Sequence, residues 1–184
     1  MKIGILGVTA DPWHLGHSAI VKKALEIVDE VIIVPTTVKY YRADKRYLFT
    51  FDEKCRIIEE FLTGIDGNVW ISDIEKNKGE NWRTIDTLEY FRAVYPDDEL
   101  YFIMGEDSYK NFTTWFRYED ILRIVNLIVA NRGVKDKPEF NGIPAKFINI
   151  GKDFVELSAT KVRQKLVEEL LDMYMNDKEW YNKI

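Results

Sequence analysis

The stretch Lys2-Ile3-Gly4-Ile5-Leu6-Gly7-Val8-Thr9-Ala10-Asp11-Pro12-Trp13-His14-Leu15-Gly16-His17 decides the fold. Residues 2–6 read as a short buried strand, 7–12 as a tight loop, and the two histidines mark the start of a helix. A strand, a loop and a helix start bring backbone N–H groups and a positive helix end to one point, which attracts an anion. His14 and His17 are the only histidines of the chain and flank Gly16. Imidazoles there can donate hydrogen bonds to phosphate oxygens, and Gly16 lacks the Cβ that would block a planar base. The positive helix end lowers an imidazole's hold on its proton and bound phosphates restore it, so His17 reads as a phosphate partner. A pair of surface or capping histidines is the plainer alternative. Zinc is disfavoured, because a third ligand and the His-x-x-Glu-His or i,i+4 spacing are missing. The pattern predicts a nucleotide site that works on phosphates.

Outward from this motif, strand-like and helix-like runs alternate. Residues 30–35, 69–73, 100–104 and 126–130 are short, apolar and partly β-branched, as buried parallel strands are, and 145–150 offers a last strand. Ile20, Ala24, Ile27 and Val28 mark one helix face, Ile57, Ile58, Phe61 and Leu62 a second, and Ile85, Leu88 and Phe91 a third. A final helix is expected over 158–175, with apolar Val162, Leu166, Leu170 and Met173. The alternation predicts an α/β fold, a doubly wound parallel sheet with helices on both faces. Ligands of such sheets bind beyond the strand ends where strand order reverses. Gly7 and Gly105 each follow a predicted strand, so neighbouring strands would put both at one crevice. Loops are expected over 36–50, which is basic and aromatic, and over 133–144.

A chain of 184 residues with 46% hydrophobic residues suits a single domain over 1–184 with a real core. The net charge of −5 argues against nucleic acid as a partner. No apolar run approaches the roughly 20 residues that span a bilayer, and the apolar start is too short for a secretory signal. The one cysteine, Cys55, fits a reducing cytoplasm. A homo-oligomer stays open.

Two further stretches carry polar chemistry. Ser158 is a good N-cap for the last helix, and Lys161 and Arg163 fall near its first turn, where cations oppose the dipole unless an anion binds there. Thr84-Ile85-Asp86-Thr87-Leu88 and Thr113-Thr114-Trp115-Phe116-Arg117-Tyr118 read either as capping and core aromatics or as an acceptor site. In the second reading Trp115 stacks on an aromatic ring and amides near Thr84 hold a carboxylate.

Gly7-x-Thr9-x-Asp11-Pro12-x-His14-x-Gly16-His17, with Ser158-x-Thr160-x-x-Arg163, resembles the signature of the HxGH nucleotidyltransferase superfamily. Thr84-Ile85-Asp86-Thr87-Leu88, Gly105-Glu106-Asp107 and Thr114-Trp115-x-Arg117-Tyr118 narrow the resemblance to bacterial nicotinate-nucleotide adenylyltransferases. The resemblance implies a Rossmann-like fold of the HUP nucleotidyltransferase type, and transfer of AMP from ATP to nicotinate mononucleotide. It implies catalytic roles for His14, His17 and Arg163 on the ATP phosphates, with backbone of Gly7, Val8 and Thr9 beside them. Gly16 would admit the adenine, Gly105 and Asp107 the ribose side, and Ser158 and Arg163 the pyrophosphate, with Arg132 a further family arginine. Arg42, Thr84 and Trp115 would bind the acceptor, and Mg2+ would arrive with ATP rather than in a protein cage.

The chain departs from the family at several points. Val8 and Ala10 replace a glycine and a phenylalanine, Tyr41-Arg42 stands for a His-Lys pair, and Arg83 stands where an aromatic is usual. Two alternatives stay open: an amide or other phosphorylated acceptor, and a nucleotide-binding regulator without turnover.

Overall fold

The computed structural model describes residues 1–37, 48–78, 82–133, 142–154 and 158–176. Six strands, β1 (Lys2–Val8), β2 (Glu30–Pro35), β3 (Asn68–Ile71), β4 (Glu99–Gly105), β5 (Asn126–Asn131) and β6 (Lys146–Asn149), form one sheet. The helices are α1 (Leu15–Ala24), α2 (Phe51–Leu62), α3 (Thr84–Val94), α4 (Glu106–Lys110), α5 (Tyr118–Ile124) and α6 (Ala159–Asn176). The strand order is β3-β2-β1-β4-β5-β6, and every pairing is parallel.

Strand residues alternate between two cores because successive side chains point to opposite faces. Ile32 and Val34 of β2, Phe102 and Met104 of β4, and Leu127 and Val129 of β5 join Ile85, Leu88 and Phe91 of α3 and Ile121 of α5. Val31 and Ile33, Tyr101 and Ile103, and Ile128 and Ala130 point the other way, to Ile20, Val21 and Ala24 of α1 and Ile58 of α2. Burial on both faces is why these strands carry continuous apolar runs. It is the doubly wound arrangement expected from the sequence.

The chain returns from β3 to lay β4 against β1, so strand order reverses between those two. Their carboxyl ends carry Gly7 and Gly105, as expected, and open the crevice. A Cβ on Gly7 would come within 3.2 Å of the Phe102 ring, so the glycine lets that ring pack against β1.

The differences from expectation are local. α1 stops at Ala24, although its apolar period runs on: the N–H groups of Ile27 and Val28 both donate to the Ala24 carbonyl (2.8 and 3.0 Å) in a turn that still buries Val28. α2 starts at a reciprocal cap in which Glu53 N–H donates to Thr50 Oγ1 (3.3 Å) and Thr50 N–H to Glu53 Oε2 (2.7 Å). On α6, Leu166 and Val167 are 36% and 44% exposed, so periodicity there does not mean core. Most of the expected loops 36–50 and 133–144 lies outside the described residues. Among those described, no helix is long and apolar enough to cross a membrane.

Arg92 ties the ends of several elements together. Its guanidinium donates to the carbonyls of Tyr95 (3.0 Å) and Pro96 (3.3 Å) after α3, of Asp98 (2.9 Å) before β4, and of Ile124 (2.9 Å) closing α5. We expect Arg92→Ala to cost about 2–3 kcal/mol, since charge-assisted bonds to carbonyls are lost together. Urea unfolding should register the loss while ATP affinity is retained.

Candidate active site

His14 is the N-cap of α1, in extended conformation (φ −150°, ψ 168°), and its carbonyl accepts His17 N–H at 2.8 Å. The His14 backbone N–H donates to His17 Nδ1 at 3.2 Å. An imidazole that accepts at Nδ1 carries its neutral-state proton on Nε2, so His17 offers an Nε2–H donor. The two rings stack with centroids 3.7 Å apart, and the Trp13 ring lies 4.9 Å from His17, its Nε1–H anchored on Ser18 Oγ (2.9 Å). A Cβ on Gly16 would come 3.1 Å from the His14 ring, so this glycine makes room for the imidazole itself. His14 Nδ1 is buried with no hydrogen-bond partner, a cost carried inside the site.

Both imidazoles are neutral at neutral pH. Burial, reinforced by the Arg132 charge, holds His14 down to about 4. Burial, then His14 and Arg132, holds His17 well below its ordinary value. Loss of water is the largest cause for both rings, ahead of the neighbouring charges.

Asp11 is fully buried and its carboxylate is a junction. It accepts N–H groups of Leu48 (3.1 Å) and Phe49 (3.0 Å) and lies 3.5 Å from the Arg163 guanidinium, which also donates to the Asp11 carbonyl. Arg163 is steadied further by Thr160 Oγ1 (3.1 Å). Ser158 caps α6 as expected, its Oγ accepting Lys161 N–H at 3.2 Å. Lys54 of α2 is buried beside this cluster and donates to the Thr36 carbonyl (3.3 Å); burial pushes its ammonium down while Asp11 pulls it up.

Two cavities meet over the strand reversal. The smaller, about 360 Å3, is bordered by His14, His17, Gly105, Arg132, Ser158 and Arg163. The larger, about 560 Å3, is bordered by Glu75, Trp82, Arg83, Thr84, Thr87 and Asn111. Gly7, Val8, Thr9, Phe102, Asp107, Ser108 and Trp115 line both, so they form one continuous trough. The imidazoles near the front of the chain and the guanidinium near its end thus face one space, as the sequence pattern required.

Of the expected site residues, only Gly16 stands behind the cavity walls, and Arg42 lies outside the described residues. Trp115 is half-buried, edge-on to Phe102 with ring centroids 6.0 Å apart. Val8 occupies the family's glycine position as the last residue of β1, paired with Pro35. Ala10 takes a left-handed conformation (φ 47°), a strained position for a residue with a Cβ. Sequence reasoning missed Asp11 as a junction, Lys54, Glu75, Trp82, Ser108 and Asn111, and singled out Thr87 only as part of its motif. A charged residue inside an apolar helical face signals Lys54; nothing local signals Glu75.

The cytidylyltransferase-like family pattern matches residues 5–165. A Dehalococcoides mccartyi protein named a probable nicotinate-nucleotide adenylyltransferase is 32% identical over 179 residues, covering 90% of this chain and 85% of its own. One of the same name from Aliarcobacter butzleri is 33% identical over 136 residues, 72% of each chain. The chain belongs to the nicotinate-nucleotide adenylyltransferase family. The fold of this chain also matches that of a Plasmodium falciparum nicotinic acid mononucleotide adenylyltransferase solved with NaAD. The TM-score is 0.70 at 18% identity, over 89% of this chain and 82% of that one.

The buried neutral imidazoles make acid destabilising. In the unfolded chain an imidazole titrates near 6.5, in the folded one His14 near 4, so on acidification the unfolded form takes up its proton first. The stability is complete above 6.5 and is lost as pH falls from there towards 4. Thermal unfolding should follow this trend, and a His14→Gln/His17→Gln variant should show a shallower decline between pH 6.5 and 4.5.

Proposed function

We propose that this protein transfers AMP from ATP to nicotinate mononucleotide, releasing pyrophosphate and deamido-NAD. The observation that carries the reading is the shared wall between two cavities, one walled by imidazoles and guanidinium groups, the other by indoles and the start of α3. A triphosphate in the first and a phosphorylated ring compound in the second would meet at Gly7, Val8, Thr9 and Asp107.

In this reading a phosphate oxygen of the acceptor attacks the α-phosphorus of ATP in line, and the bond to the β-phosphate bridge breaks towards pyrophosphate. Such chemistry asks the protein for positioning and for charge placed where charge develops. His17 donates from Nε2 and His14 stands beside it. Arg163, already fixed by Asp11 and Thr160, and Arg132 face the leaving pyrophosphate with Ser158. Gly105 and Asp107 border the ribose side, Gly16 the adenine side through the ring it seats, and Thr84, Trp115 and Arg42 serve the acceptor. Bound phosphates would set negative charge against the imidazoles and favour their protonation, opposing the burial and the Arg132 charge that keep them neutral. Among the described residues no group of His, Cys, Asp and Glu could cage a metal ion. Asp11, the carboxylate nearest Arg163, is already taken up by donors. This donor set fits magnesium that enters as MgATP with its own waters and phosphate oxygens, neutralising phosphate charge. We place the reaction in the cytoplasm, with the whole of 1–184 as one catalytic unit.

Incubation of pure protein with ATP, magnesium and either nicotinate or nicotinamide mononucleotide, following pyrophosphate, tests the reading. Faster turnover of the acid is expected. Equal or better turnover of the amide would overturn the acceptor, and ATP binding without pyrophosphate release from any acceptor would make the protein a nucleotide binder.

His17→Ala should lower kcat on the order of 10²–10³-fold, the usual loss for one preorganised donor, with a stability loss of about 1 kcal/mol as the His14 N–H loses its acceptor. Near-normal turnover would remove the imidazole from the chemistry.

A further inference from the structure

Resting on the reading that the larger cavity holds the acceptor, we propose that Trp82 is a direct acceptor-binding residue, its indole set in place by Thr87 and Glu75. Trp82 Nε1–H donates to Thr87 Oγ1 at 2.8 Å, and the Thr87 hydroxyl donates to Glu75 Oε1 at 2.8 Å. An indole only donates, so the Thr87 hydroxyl accepts from Trp82 and turns its own proton to Glu75. Thr87 and Glu75 are 4% and 9% exposed, and all three residues border the cavity.

Burial makes a charge on the Glu75 carboxyl costly and pushes its pKa up, and hydrogen bonds from neighbouring threonines oppose that cost. The Glu75 carboxylate takes the Thr87 hydroxyl from α3 and bonds the Thr36 side chain, and its carbonyl takes the Thr37 hydroxyl, both threonines lying in the chain leaving β2. The cavity wall is thereby tied across three segments, and the indole is fixed relative to Thr84 two residues on. Lys78 Nζ, 4.4 Å from the centre of the Trp82 ring, restrains it further. A large ring locked by its polar atom presents a rigid apolar surface to the cavity at low entropic cost, which suits a flat heteroaromatic ligand. Trp82 thus joins Trp115 as a second indole on the acceptor side, while Thr87 and Glu75 are positioning residues.

Calorimetric titration with nicotinate mononucleotide and, separately, with ATP tests this, using the full chain. Trp82→Ala should weaken the mononucleotide on the order of tenfold or more, the usual loss of a ring-stacking surface, and leave ATP within about twofold. Thr87→Val should weaken the mononucleotide in the same sense, and Thr87→Ser, which keeps the hydroxyl, should restore it. Trp82→Phe combined with Thr87→Val should be no worse than the poorer single variant, since both break one bond. Unchanged mononucleotide affinity in Trp82→Ala overturns the proposal. So does equal weakening of both ligands, or a serine variant no better than valine. If the unaltered protein binds no nicotinate mononucleotide, the acceptor reading itself falls, and the proposal falls with it.

Discussion

Asp11 carries a buried carboxylate at the point where the first strand turns into the histidine helix. Taking such a charge out of water costs several kcal/mol, and only close, well-directed partners offset it. Here they come from three distant stretches: the N–H groups of 48–49 at the entry to α2, the Arg163 guanidinium of α6, and the nearby Lys54 ammonium. Removing any one leaves the rest of a buried cluster unpaired, so these parts hold one another in register. The Arg163 guanidinium is thereby held in one orientation at the wall of the smaller cavity, and preorganised charge of this kind is what catalysis by charge placement requires.

The strand reversal does the comparable work for the backbone. Because β4 returns to the free edge of β1, the ends of both strands and the starts of α1, α3 and α4 converge on one trough. Anion-favouring features crowd one end of it and aromatic surface the other. The neutral imidazoles fit this arrangement of charge: buried beside Arg132, a protonated ring would meet both loss of water and a like charge.

Much of this was legible from local pattern. Apolar runs buried on both faces marked β1, β2, β4 and β5, and Gly7 and Gly105 marked the crevice, because strand periodicity and close approach leave their signature in residue type. Likewise, Ser158 read correctly as a cap. The end of α1 was misjudged, since Ile27 and Val28 keep the apolar period in a turn that buries Val28 without being helix. Of the larger cavity's wall, local pattern singles out Thr84, within the motif that also holds Thr87, and Trp115, whereas Glu75 and Trp82 carry no local signal because only the fold brings them there.

By itself, then, the order of residues determined which segments become strands and helices and where phosphate chemistry gathers, because those properties rest on periodicity, caps and a short motif. It also carried the family. Only the tertiary structure decided that burial, with Arg132 nearby, strips the imidazoles of their protons, that Gly16 seats a histidine ring, and that Asp11 and Arg163 meet across 152 positions. Burial and long-range pairing are sums over neighbours that are far apart along the chain, and no local stretch of sequence contains them.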